Sequence, residues 1–99
     1  VVLDLRDYST TYGQAIGIHL SDSNNMAIYI SKGFAHGFAS LEENTIVTYL
    51  QTSEYSPEHD TGVRYDSFNF EWNVPEPIIS DRDASFISFD ELKSPFVKI

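Results

Sequence analysis

The sequence predicts an all-β fold, an antiparallel barrel or sandwich built from short strands. Three observations carry this prediction. Apolar residues alternate with other residues over several stretches, which is the period of a β-strand. Clusters of Ser, Asn, Asp and Gly separate these stretches at close spacing, as in all-β domains. Residues 45–52 (TIVTYLQT) are rich in the β-branched and aromatic types that favour strands.

The first predicted strand is VVLDLR, residues 1–6, in which Val1, Leu3 and Leu5 share one face. A polar turn at residues 9–13 follows it. Alternation over residues 15–20 predicts a second strand, which a loop of Ser, Asp and Asn ends.

Three more strands are predicted along the chain. Residues 26–30 (MAIYI) have the pattern of a buried strand, and residues 34–41 follow after a short turn. Residues 42–44 (EEN) turn the chain into 45–52, the clearest strand of all. Five or six such strands cannot close a barrel alone, and open edges have to be covered or paired. We therefore expect a missing segment, a partner chain, or both.

The pattern weakens after Ser53. Residues 56–62 (SPEHDTG) predict an exposed turn, and residues 74–77 (VPEP) predict extended backbone. Residues 88–91 (SFDE) match a capping box, so we expect a short C-terminal helix there, which Pro95 ends.

Composition excludes several classes of protein. The net charge is −9, from 15 acidic residues against six Lys and Arg, which argues against a nucleic-acid binder. The apolar runs are too short to span a bilayer, so no membrane partner is expected. The absence of cysteine excludes disulfides and thiolate metal sites, and fits a cytoplasmic protein.

The stretch SKGFAHGF contains the histidine of most interest, His36. Histidine is a common general base, which makes His36 a candidate, while a histidine beside a turn is more often structural. His19, His36 and His59 are widely separated in the sequence, so we expect no metal site.

Four other polar or aromatic residues each allow a structural interpretation. Tyr49 lies in a predicted strand and could pack in the core. Asp83 is three residues after Ser80, a spacing that predicts a helix start. Arg82 could be a surface charge. Tyr55, Phe68, Phe70 and Trp72 could form a core cluster or a dimer patch. We favour packing in the core for all of them except Tyr55.

Several stretches, read in chain order, together match one enzyme family: VVLDLR, TYGQAIGIHLS, YISKGFAHGFASL, VTYLQTSEYSPEHDTGVRYD, EW and PIISDRD. The sequence thereby resembles the dTDP-4-dehydrorhamnose 3,5-epimerases, cupin-fold enzymes of the deoxysugar pathway that leads to dTDP-L-rhamnose. The match runs from Val1 to about Phe86 and corresponds to the C-terminal half to two-thirds of a typical member.

The resemblance implies a fold, an activity and partners. The fold is a cupin-type antiparallel jelly roll, formed in part, with residues 1–99 as one cupin domain that is N-terminally truncated relative to the family. The activity is epimerisation of a dTDP-4-keto-6-deoxyhexose at carbons next to its ketone, without a cofactor. The family also implies a homodimer, in which one subunit lends residues to the other's site.

The same resemblance assigns two catalytic residues. Tyr49 matches the tyrosine that donates a proton on the face opposite the base. Asp83 matches the aspartate that pairs with the base, a histidine in an LRGLH-type motif. That motif and the family's enolate-stabilising lysine are not among the 99 residues. We therefore expect this chain alone to lack the catalytic base.

Four further residues match substrate-binding positions of the family. His36 matches a substrate-contacting histidine, and Tyr55 occupies the place of an aromatic ring that stacks on thymine. Asp60 stands where many members have Glu, and Arg82 where many have Lys; both positions contact the nucleotide sugar. The alternative function is a non-catalytic cupin module that binds a nucleotide sugar or serves only in dimerisation.

Overall fold

The computed structural model describes residues 1–97, and its centre is a three-stranded antiparallel sheet with the order β2-β1-β3. Strand β1 is Val2–Asp4, β2 is Ala15–Ile16 and β3 is Phe34–His36. The all-β prediction is confirmed in partial form, because the sheet is antiparallel and helix is confined to a few short segments.

The register of the sheet places apolar side chains on both faces. Leu3 lies opposite an alanine of each neighbouring strand and is 2% exposed, which makes it the one fully buried apolar side chain among residues 1–97. On the other face, Val2 lies opposite Ile16 and His36. The predicted alternation along β1 is thus confirmed, and the sheet positions His36 beside apolar neighbours.

The predicted turns form, and residues in the left-handed region mark them. Gly13 has φ +81° in the turn that joins β1 to β2. Asn25 and Asn44 have φ 53° and 60° at the ends of the predicted loop 21–25 and turn 42–44. Glycine and asparagine tolerate this region better than other residues, which is why their positions predicted the turns.

Between residues 50 and 97 there are three short helices: a 3-10 helix at Pro57–His59, the helix α1 at Asp81–Ala84 and a second 3-10 helix at Phe89–Glu91. The C-terminal helix predicted from the capping box is therefore only one 3-10 turn, and no side-chain hydrogen bond from Ser88 caps it. None of the helices in the described part of the chain is long and apolar enough to cross a membrane.

Two of the predicted strands do not form in this structure, so those predictions are wrong. Residues 45–52 and 26–30 form no strand, and Leu50 and Tyr29 are 97% and 85% exposed. A suitable pattern makes a strand only where a second strand supplies backbone partners. No strand among residues 1–97 forms a β-ladder with either of these two stretches.

The accessible surface shows how open the fold is. It measures 8657 Å², whereas a compact monomer of this size exposes about 5,700 Å². The excess is comparable with the area that large, stable protein interfaces bury. Part of this excess surface lies in the middle of the chain, where residues 45–52 are all exposed.

Candidate functional site

An ion pair joins two of the residues that the sequence assigned to ligand binding. Nη2 of Arg82 lies 2.9 Å from Oδ1 of Asp60. The two residues are far apart in the sequence, yet their side chains meet at the surface, where Arg82 is 59% exposed. This pair is the centre of the candidate site, because both charges can reach a ligand from solvent.

The loop before Asp60 holds its carboxylate in place. Pro57 begins the 3-10 helix, and its fixed φ suits that position. The side chains of Ser56 and His59 form a 2.7 Å hydrogen bond across the same turn. The backbone N–H of Asp60 then donates to the carbonyl of Pro57 at 3.4 Å. These two hydrogen bonds fix the backbone of the turn and so the position from which the Asp60 side chain extends.

Arg82 is placed by the start of helix α1. The Ser80 hydroxyl accepts a 3.1 Å hydrogen bond from the backbone N–H of Asp83, which confirms the predicted helix start. Cζ of Arg82 lies 5.2 Å from the centre of the Phe86 ring, within the range of a cation–π contact. Carboxylate and ring thus constrain the guanidinium together.

Backbone contacts connect the two segments that carry the pair. Val63 and Ile87 form an isolated parallel β-bridge, and the N–H of Arg64 donates to the carbonyl of Ile87 at 2.9 Å. Farther along, the N–H of Phe89 donates to Oγ of Ser67 at 2.9 Å. These long-range bonds bring Asp60 to helix α1.

Asp83 has the structural role that its spacing predicted, and its carboxylate is exposed. Near the N-terminus of a helix a negative charge is favourable. Within residues 1–97, no hydrogen bond or ion pair joins Asp83 to a histidine. The catalytic assignment of Asp83 stays a prediction.

Tyr49 and Tyr55 lie in the segment that forms no strand. They are 73% and 70% exposed, and neither takes part in the hydrogen bonds formed within the described residues. Core packing, the alternative for Tyr49, is therefore wrong for this structure. Among residues 1–97, the side chain of neither tyrosine forms a hydrogen bond with Asp60 or Arg82.

His36 is the last residue of β3 and lies opposite Val2, which lines an apolar groove. The groove has a volume of about 320 Å³ and is lined on the sheet side by Val2, Ile16 and Phe34. Its other wall is residues 28–31, and none of the lining residues is charged. His36 shares the face of Val2, so the groove can offer an apolar surface next to a polar ring.

The aromatic residues after position 64 pack with one another. The ring of Trp72 meets Phe70 edge to face at 5.5 Å between centroids, and Tyr65 at 6.2 Å. Nε1 of Trp72 donates to the carbonyl of Tyr65 at 2.8 Å. The predicted packing role of Phe70 and Trp72 is confirmed.

One polar cluster of the sheet was not predicted as a unit. Asp4 is 3% exposed and accepts hydrogen bonds from Arg6 and from the hydroxyl of Thr11. The guanidinium of Arg6 lies over the Phe34 ring, 4.6 Å from its centre. Hydrogen bonds from Arg6 hold the pKa of Asp4 well below its usual value, although burial acts in the opposite direction. The cluster joins β1, β3 and the first turn, so we assign it to folding.

Sequence reasoning also missed Phe86 and Gly62, which support Arg82. A signal for Phe86 exists, because Arg82 and Phe86 are four residues apart after a predicted helix start. Nothing local pointed to Gly62, whose contact with Phe86 spans two segments of the chain. Among the described residues, no group of three or more His, Cys, Asp or Glu could hold a metal ion.

Comparisons with known proteins give one consistent result. The model of a family described as dTDP-4-dehydrorhamnose 3,5-epimerase matches residues 1–91. The chain is 41% identical over 95 residues to a protein of Mycolicibacterium smegmatis with that name, covering 95% of the chain and 47% of the relative. A protein of the same name from Methanothermobacter thermautotrophicus is 41% identical over 91 residues, covering 87% of the chain and 49% of the relative.

A bacterial relative at lower identity has the same name. The dTDP-4-dehydrorhamnose 3,5-epimerase of Escherichia coli is 34% identical over 95 residues, covering 93% of the chain and 51% of the relative. The chain therefore spans about half the length of the curated relatives it matches. No solved structure matches it significantly.

Proposed function

The chain belongs to the dTDP-4-dehydrorhamnose 3,5-epimerase family. We propose that it forms part of a nucleotide-sugar epimerase of deoxysugar biosynthesis. The substrate is a dTDP-4-keto-6-deoxyhexose, inverted at carbons next to its ketone by a cytoplasmic homodimer that needs no cofactor. The match of the family model to residues 1–91 carries this proposal. The exposed Asp60–Arg82 pair is consistent with it, because two residues at the family's substrate-binding positions meet in the fold.

The chemistry of this reaction explains which groups are needed. A base removes the proton from the carbon next to the ketone, and the electron pair moves onto the carbonyl oxygen as an enolate. An acid then returns a proton to the same carbon from the opposite face. We assign the acid to the phenol of Tyr49. Asp83 orients the base histidine and stabilises its charged form, as carboxylates do in other acid–base sites.

The binding residues divide by ligand chemistry. The guanidinium of Arg82 suits the diphosphate, because arginine presents several N–H donors to phosphate oxygens. The carboxylate of Asp60 can accept a hydrogen bond from a hydroxyl or N–H of the nucleotide sugar. Tyr55 stacks on thymine, and His36 contacts the sugar beside the apolar groove.

One observation favours a second candidate for the chain on its own. The 99 residues contain no Arg-Gly-Leu-His run, which is where the family has its base. A polypeptide with binding residues and no base would be a non-catalytic module that binds a nucleotide sugar or serves in dimerisation. The two candidates differ in proton exchange and can be separated by it.

Solvent exchange is the direct test. The 99-residue chain is incubated in D₂O with dTDP-4-keto-6-deoxyglucose, alone and together with the half of the M. smegmatis relative that it does not match. We expect no useful deuterium incorporation with the chain alone, and incorporation at the carbons next to the ketone in the mixture. Tyr49→Phe in the mixture should reduce product formation by orders of magnitude.

Each other outcome has a defined meaning. Full-rate exchange by the chain alone would show that the base is within the 99 residues. If the chain binds dTDP but the mixture shows no exchange, the binding module is the better description. If dTDP does not bind either, neither nucleotide-sugar proposal stands.

A further inference from the structure

The ring of Phe86 lies between two segments of the chain, in contact with Gly62 and Arg82. A Cβ atom built on Gly62 would lie 2.5 Å from Cε2 of Phe86 and 2.8 Å from both Cδ2 and Cζ. A Cβ atom does not approach a non-bonded carbon this closely, so any side chain at position 62 would displace the ring. The Phe86 ring can occupy this position only because Gly62 has no side chain.

The ring in turn meets the guanidinium of Arg82. Cζ of Arg82 lies 5.2 Å from the ring centre, and Nη2 lies 2.9 Å from the carboxylate of Asp60. An arginine side chain has many rotamers, and a free one loses this freedom when it binds a ligand. Here an aromatic face and a carboxylate restrict the guanidinium before any ligand arrives.

The position of the ring is fixed by backbone contacts. The N–H of Phe86 donates to the carbonyl of Asp83 at 3.3 Å, within the turn that ends helix α1. The next residue, Ile87, forms the β-bridge to Val63, which directly follows Gly62. Ring and glycine are therefore held together by their neighbours, independently of Arg82.

We propose that Phe86 and Gly62 are positioning residues that hold the Arg82 guanidinium ready for the diphosphate of the nucleotide sugar. The identity of this ligand rests on the proposed function. Asp60 alone would fix the guanidinium less well, because an incoming phosphate competes with the carboxylate for the same N–H groups. The ring face does not compete with the ligand and keeps its contact when phosphate binds.

The contact is tested first without a ligand. In the ¹⁵N-labelled chain, the Nε–Hε resonance of Arg82 should be shifted by the ring current of Phe86. We expect Phe86→Leu and Gly62→Ala to move this resonance to the position of a free arginine. Phe86→Tyr preserves the aromatic face and should keep the shift, which separates an aromatic effect from loss of packing.

A second glycine–phenylalanine contact provides a matched control. A Cβ on Gly17 would lie 2.7 Å from Cζ of Phe70, and neither residue takes part in the contacts of Arg82. Gly17→Ala and Phe70→Leu should therefore disturb local packing and leave the Arg82 resonance unchanged. An unshifted Arg82 resonance in the parent chain, or an equal change in the control variants, would overturn the proposal.

The functional consequence is measured with dTDP itself. Loss of the cation–π contact corresponds to a rise in the dTDP dissociation constant of about two- to fivefold for Phe86→Leu. Phe86→Tyr should bind as the parent does. Equal affinity for parent and Phe86→Leu would contradict the role in binding. If the parent does not bind dTDP while the resonance shifts as expected, the nucleotide-sugar assignment fails and the positioning of Arg82 stands.

Discussion

Arg6 donates two side-chain hydrogen bonds to the carboxylate of Asp4, from Nε to Oδ1 at 3.0 Å and from Nη2 to Oδ2 at 2.9 Å. The two residues are two positions apart, with Leu5 between them, so they share a face of the extended segment. The backbone N–H of Arg6 adds a third bond to Oδ1. A bidentate pair with a nearly buried carboxylate is stronger than an ordinary surface pair. It therefore fixes the end of β1 and the turn that follows.

Removing this carboxylate should destabilise the chain measurably. Asp4→Ala leaves the Arg6 donors without their acceptor, and we expect a loss of about 2 kcal/mol in the free energy of unfolding, measured by urea denaturation. The exposed pair of Arg64 and Asp66, at 3.0 Å, provides the control. Asp66→Ala should cost less than about 0.5 kcal/mol. Equal losses in the two variants would show that burial of Asp4 has no special effect.

The same carboxylate should make stability depend on pH in the acidic range. Hydrogen bonds from Arg6 lower the pKa of Asp4 in the folded chain below its ordinary value of 3.8. A carboxylate with a lowered folded pKa stabilises the fold fully above the unfolded pKa. This contribution is lost as the pH falls from about 4 towards the folded pKa.

Asp4→Asn isolates this effect, because the variant has no carboxylate to titrate at that position. We expect the difference in urea midpoint between parent and Asp4→Asn to be constant from pH 7 to about 5 and to shrink below pH 4. A difference that grows as the pH falls would have the wrong sign and would reject a lowered pKa for Asp4.

Gly33 should not tolerate a side chain, for two reasons. Its φ is +96°, and a Cβ there would lie 2.6 Å from Cγ of Arg6, the residue that holds Asp4. We expect Gly33→Ala to lower the free energy of unfolding by about 2 kcal/mol. In Gly37→Ala the new Cβ meets only Trp72 at an ordinary 3.7 Å, and the φ of Gly37 is not positive. That variant should lose less than half as much stability, and a reversed order would be inconsistent with the structure.

The structural features that the sequence predicts correctly are local ones, which depend only on residues close together in the chain. Turns with a glycine or asparagine and the Ser80 helix start are local, and they form where they were predicted. Strand formation by residues 45–52 is not local, because a strand needs hydrogen bonds from a second strand. The pattern within the segment does not specify where that second strand lies. The Asp60–Arg82 pair depends on the bridge between Val63 and Ile87, so only the structure could bring the two charges together.

The exposed middle segment gives a prediction about association. Ile46 and Leu50 are 88% and 97% exposed, in a chain whose surface far exceeds that of a compact monomer. Exposed apolar surface of this extent binds the dye ANS and favours association. We expect the chain to enhance ANS fluorescence and to sediment as a dimer or larger species at micromolar concentration. The double variant Ile46→Lys/Leu50→Lys should reduce both signals several-fold.

Thr48→Lys is the matched control, because it adds positive charge to the same exposed segment without removing an apolar side chain. It should not reduce dye binding below that of the parent, since the exposed apolar surface that binds ANS is unchanged. A similar decrease in Thr48→Lys would mean that charge, and not apolar area, controls association. A chain that sediments as a monomer at all concentrations and does not enhance ANS fluorescence would contradict the exposure of Ile46 and Leu50 directly.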